Sequence, residues 1–160
     1  MFNLEKKNFF IITFLVSLFV LISAYFIEYV LGHQPCNLCL IERIPYMGAL
    51  IIIIINYKFN HLEKYLILLL VFVFLGGTLI SLYHLGIEQG FIKESFVCDL
   101  KNSSKILTKE EILQQLKEKM VSCKDVTFKI FGFSLTTLNI IISLLITIFF
   151  SKIYLGYEKN

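Results

Sequence analysis

At 160 residues, 57% of them hydrophobic, and with a mean hydropathy of +0.76, the chain carries more apolar surface than a water-soluble core of this size can hide. Its formal net charge of +3 is scattered over loops and tails, which excludes a coherent basic stripe for nucleic acid. The composition is that of a membrane protein, with the lipid bilayer as its solvent.

The first apolar run covers about residues 9–29 and follows Lys6-Lys7. A signal peptide starts the same way, but this run is long enough to span a bilayer and no small-residue cleavage site ends it. A retained helix is expected. In the second run, Ile44–Tyr57 is only 14 residues, too short to cross a hydrocarbon core of ~30 Å. That span is therefore expected over about 40–57, starting near Cys39 and taking Glu42 and Arg43 into its first turns. Pro45 then sits early in the helix or makes a small kink. The third and fourth runs cover about 65–85 and 131–150. The fold expected is all-α, an antiparallel four-helix bundle forming a single membrane domain over 1–160. In the long loop of about 86–130, Thr108-Lys109-Glu110-Glu111 reads as a capping box. Ile112, Leu113, Leu116 and Met120 follow at helical spacing. A short amphipathic helix is expected there, lying on the membrane or packed on its own loop.

Four spans put the loops of about 30–39 and 86–130 on one side, and the termini with the Lys58–Lys64 turn on the other. All four cysteines, Cys36, Cys39, Cys98 and Cys123, then share one face. The termini and short turn carry lysines, while the first opposite loop has no Lys or Arg before Arg43, which fits cytoplasmic termini. The long loop, with eight lysines, does not follow the rule. Stable disulfides also belong outside the cytosol.

Cys36-Asn37-Leu38-Cys39 lies where one apolar stretch gives way to the next. A C-x-x-C at a helix N-terminus favours a thiolate through unpaired N–H groups and the helix dipole. Arg43 is the only arginine in the chain, four residues beyond Cys39. A fixed cation there would favour the Cys39 thiolate and could hydrogen-bond a quinone carbonyl; the plainer reading is snorkelling to the interface. The two cysteines could also be an inert buried pair or a structural disulfide. A zinc site is disfavoured because Cys98 and Cys123 are too far apart to form a second C-x₂-C knuckle, and no resident metal is expected. Haem attachment needs a histidine at position 40, which is Leu40. Cys98 and Cys123 read most simply as a staple across the loop. Beside a membrane-edge C-x-x-C on the same face they also suit disulfide exchange. His84, at the end of the third span, is either a packing residue or a proton or hydrogen-bond donor, with Glu88 one turn on as a candidate partner. Gly76-Gly77 suits close helix approach.

Gln34-Pro35-Cys36-Asn37-Leu38-Cys39-Leu40-Ile41-Glu42-Arg43 resembles the P-C-x-L-C-x-x-E-R signature of the bacterial disulfide bond formation protein B (DsbB) family. Tyr83-His84-Leu85-Gly86-Ile87-Glu88 and Gly132-Phe133-Ser134-Leu135 resemble the segments that follow its third helix and precede its fourth. The resemblance implies an inner-membrane oxidoreductase with two redox-active disulfides, Cys36–Cys39 and Cys98–Cys123. It would reoxidise a periplasmic DsbA-like thioredoxin-fold oxidase and pass two electrons to the membrane quinone pool, ubiquinone or menaquinone. By position, Cys98 would take the partner's attack, Cys123 would resolve toward Cys36, and Cys39 would face the quinone. Arg43, His84 and Glu42 would be quinone-binding, with Arg43 assisting Cys39. The alternative is a non-enzymatic membrane assembly protein whose loop disulfide is structural. Such a protein has no need of Cys36 and Cys39 beside Arg43.

Overall fold

The computed structural model describes residues 2–93, 98, 122–123, 129–130 and 133–158. The Thr108 capping box and its apolar stripe lie outside these residues. Five α-helices are described: α1 (Phe2–Tyr29), α2 (Asn37–Ile41), α3 (Ile44–Lys58), α4 (Glu63–Glu88) and α5 (Leu135–Glu158). A 3-10 turn over Asn60–Leu62 links α3 to α4, and a two-residue hairpin, β1 (Lys129–Ile130) against β2 (Phe133–Ser134), leads into α5. Among the described residues, four stretches are long and apolar enough to cross a membrane, with α2 and α3 together making the second.

The helices form one bundle. The α4–α5 pairing is the most extensive, and α3 packs against both α1 and α4. The ring pairs Phe9–Phe149 and Phe10–Phe150, at 4.9 and 5.4 Å between centroids, join α1 to α5. Tyr46, Ala49, Ile67, Leu70 and Phe74 fill the centre. Yet only 22% to 33% of each apolar stretch is buried inside the protein. The outer surface is therefore itself apolar, which suits lipid and not water.

Pro45 explains where the second span breaks. It has no N–H to donate to the carbonyl four residues back, that of Ile41, its ring crowds that carbonyl, and Ile41 is the last residue of α2. The expected helix through Glu42 and Arg43 is thus two helices with those residues in the turn between them. The fourth span also differs, because it starts at Leu135. The Ser134 hydroxyl accepts the Thr137 N–H at 3.3 Å, capping the helix at that point, and the residues just before it pair as a hairpin.

Of the two adjacent glycines in α4, Gly77 is the one that permits close approach. A Cβ there would lie 2.8 Å from Pro45 Cγ, whereas one at Gly76 would meet nothing within 4 Å. The Pro45 ring is stiff and cannot swing aside. Gly77→Ala should destabilise the bundle by about 1–3 kcal/mol, and Gly76→Ala should not, as read by thermal unfolding in detergent. Equal melting of the two variants would show that the α3–α4 contact yields freely.

Candidate redox site

Gly32, with φ +71°, turns the chain sharply beyond α1. The chain then reaches Cys36 at the N-cap of α2, and the Cys39 backbone N–H donates to Cys36 Sγ at 3.2 Å. The C-x-x-C spacing is what makes this possible, since an N-cap side chain reaches the amide three residues on. Both residues are thiols, Cys36 buried and Cys39 half-buried.

His84, buried on α4, approaches Cys36 Sγ with Nε2 at 3.5 Å. Its Nδ1 lies 2.8 Å from Glu42 Oε1 and 3.3 Å from Thr136 Oγ1. An ionised carboxylate only accepts, so Nδ1 carries the proton toward Glu42 and Nε2 is left to exchange one with Cys36. Glu42 is the carboxylate on His84. Glu88, suggested by its position one turn on, is not among the His84 ring contacts, and its Oε2 is buried with no hydrogen-bond partner among the described residues. Asn139 Nδ2 donates to Glu42 Oε2 at 3.1 Å and to Ser81 Oγ at 2.7 Å, while the Tyr46 hydroxyl donates to Asn139 Oδ1. Both oxygens of a buried carboxylate are thus satisfied, as burial of a charge requires.

These contacts settle on Cys36. The hydrogen bond from the Cys39 thiol is the largest cause lowering the Cys36 thiol from 9.0 to about 5; the His84 hydrogen bond and charge add to it, and burial opposes. The reduced protein should therefore carry a Cys36 thiolate at neutral pH and lose it as pH falls through about 5. Alkylation of Cys36 against pH, resolved by mass, should show that midpoint, and His84→Ala should move it upward. A midpoint left in the ordinary thiol range in the unmutated protein would refute the arrangement.

Arg43 does not continue the α2 helix toward Cys39. Its Nη1 donates to Glu28 Oε2 at 2.5 Å, in the last turn of α1, and its Cζ lies 5.0 Å from the Tyr25 ring centroid. Only 12% and 21% of the Arg43 and Glu28 side chains are exposed.

Cys98 and Cys123 are joined as a disulfide with their Cα atoms 5.9 Å apart. Cys36, Leu38, Ile87 and Cys123 form one buried cluster, and Cys39 and Cys98 pack against it. All four cysteines are brought together at the α2 end of the bundle, one pair oxidised and the other reduced.

The family model for the disulfide bond formation protein DsbB matches residues 6–152. The chain belongs to the DsbB family. An uncharacterized protein of Rickettsia prowazekii (strain Madrid E) is 31% identical over 151 residues, covering 91% of this chain and 85% of that protein. Membership makes the chain a multi-pass membrane oxidoreductase of disulfide bond formation.

Glu28, Asn139, Thr136, Ser81 and Tyr46 were not singled out by the sequence. Two signals were there: Glu28 is an acid near the end of the first apolar run, and Asn139 is an amide inside the fourth.

Proposed function

We propose that this DsbB-family protein, acting as a single membrane domain, oxidises a periplasmic DsbA-like thioredoxin-fold partner and delivers the electrons to a membrane quinone, ubiquinone or menaquinone. The partner's dithiol reduces Cys98–Cys123 and leaves as a disulfide. The new Cys98 and Cys123 thiols reduce Cys36–Cys39, re-forming their own disulfide. Cys36 and Cys39 then close again, giving up two electrons and two protons. The observation that carries this reading is the single cluster uniting a Cys98–Cys123 disulfide with a Cys36/Cys39 dithiol. A loop staple has no need of a dithiol packed beside it.

The surroundings of Cys39 fit a quinone. Leu40 and Ile44 expose apolar side chains, and Arg43 has five N–H donors, with Nη1 held by Glu28. Arg43 and Cys39 would hold the quinone, which when bound supplies the two-electron acceptor. His84 has both ring nitrogens engaged, so binding a quinone oxygen there would require one contact to open. We assign His84 and Glu42 to the Cys36 proton: Nε2 takes it, and the Glu42 carboxylate stabilises the imidazolium so formed.

The deciding experiment is anaerobic quinone reduction by the purified protein with reduced partner as donor. Stoichiometric quinol and oxidised partner are expected; no quinol would refute quinone as the electron acceptor. The site is read as periplasmic in an inner-membrane protein, with cytoplasmic termini. A reporter active only in the periplasm should stay silent when fused to the C-terminus, and strong activity would reverse the orientation.

A further inference from the structure

The groups that activate Cys36 are also a set of metal ligands. Cys36 Sγ, Cys39 Sγ and a His84 ring nitrogen all lie within 4.8 Å of one another. Tetrahedral zinc, with Zn–S of about 2.3 Å and Zn–N of about 2.0–2.1 Å, would separate S and N by about 3.6 Å. Cys36 Sγ and His84 Nε2 are 3.5 Å apart. The two sulfurs come from the N-cap and third position of α2 and the nitrogen from α4, so an ion would bridge two elements that are already packed together.

Three further features favour an ion here. Glu42 holds His84 Nδ1 at 2.8 Å, which orients the ring with Nε2 toward the sulfurs. A carboxylate on the far nitrogen is the usual support of a zinc-bound histidine. Two thiolates balance a divalent cation, so the complex adds no net charge at a membrane edge. Thiolate and imidazole also select borderline-soft ions over Mg²⁺ or Ca²⁺.

We propose that the reduced protein binds a thiophilic d¹⁰ divalent cation, Zn²⁺ by class, through Cys36, Cys39 and His84, and that closing the Cys36–Cys39 disulfide abolishes the site. The redox gating rests on the proposed cycling of this pair; the ligand geometry does not. Binding displaces the Cys39 thiol proton and the one proton shared between Cys36 and Nε2. With both sulfurs committed to the ion, the pair cannot close, so electron delivery stops until the ion leaves. The site therefore traps the protein in the state that accumulates when no oxidant is available to it.

Cd²⁺ is the optical probe, because cadmium thiolates absorb in the ultraviolet. The full-length protein, reduced with a phosphine and desalted anaerobically, should take up a single equivalent of Cd²⁺, and Zn²⁺ should displace it. Cys98→Ser with Cys123→Ser should bind as well as the parent. His84→Ala should weaken binding by at least 10-fold. Glu42→Gln, which keeps the shape of the side chain, should weaken it by about 10–100-fold. Zn²⁺ should also protect Cys36 and Cys39 together from maleimide, a readout independent of absorbance. Unchanged affinity in both His84→Ala and Glu42→Gln, or equal binding by the Cys36–Cys39 disulfide form, would overturn the proposal. If the metal-free protein reduces no quinone, the electron-transfer reading fails while the Cd²⁺ titration still decides the site.

Discussion

Cys39→Ala should abolish quinone reduction with every electron donor, whereas Cys98→Ala should abolish it only with the protein partner. The difference follows from position. Cys39 is the half-buried member of the C-x-x-C, with exposed apolar Leu40 next to it, and in the proposed cycle it is the sulfur set against the quinone. Cys98 belongs to the oxidised pair on the polar loop. A small dithiol can reduce Cys36–Cys39 directly and bypass that pair, because exchange requires only a thiolate and a reachable sulfur. Quinone reduction should be measured in both variants with partner and with small dithiol, alongside trapping of the mixed disulfide with the partner. If both variants lose the small-dithiol reaction equally, the division of labour is wrong.

Arg43→Ala should slow quinone turnover or raise the apparent quinone KM by about 10–100-fold, while mixed-disulfide formation at Cys98 stays largely intact. One charge-assisted hydrogen bond contributes about 1.5–3 kcal/mol, which converts to that range. Arg43→Lys keeps the charge and loses the planar fork, so it should fall between. The ion pair with Glu28 adds a control. Glu28→Gln removes the carboxylate charge that competes for the guanidinium but retains an acceptor, so it should change quinone kinetics far less than Arg43→Ala does. Normal quinone kinetics in Arg43→Ala would mean that the Glu28 pair and the Tyr25 contact are merely how this cation settles at the interface.

The four spans were legible because each apolar run approaches or exceeds the thickness of a bilayer, a test that needs no knowledge of packing. The C-x-x-C was legible for the same kind of reason, since its spacing is local. Pro45 was visible, and it does sit early in a helix, at the start of α3; what its position did not reveal is that α2 stops at Ile41 before it. The interhelical partners were not legible. In spans apolar all round, no periodicity marks which face meets which neighbour, so nothing in the sequence says that Glu42 reaches Asn139, 97 residues away. The Glu88 assignment failed because it followed spacing along a single helix, while His84 is satisfied by the two caps of α2 and by α5.

The break at Pro45 has a mechanical side. A dithiol and a disulfide hold their sulfurs at different separations, so the proposed cycling of Cys36 and Cys39 would ask α2 to adjust at each turnover. Were it the first turns of an unbroken rod, the hydrogen-bond ladder would carry that change down the span toward Lys58. Instead α2 is a five-residue tile, anchored by buried Leu38 and by Glu42, and joined to the span below through the Glu42-Arg43 turn, where Pro45 leaves the Ile41 carbonyl without its helical donor. The tile can flex while the rod stays still, so the proposed cycling would leave the lipid-embedded bundle undisturbed.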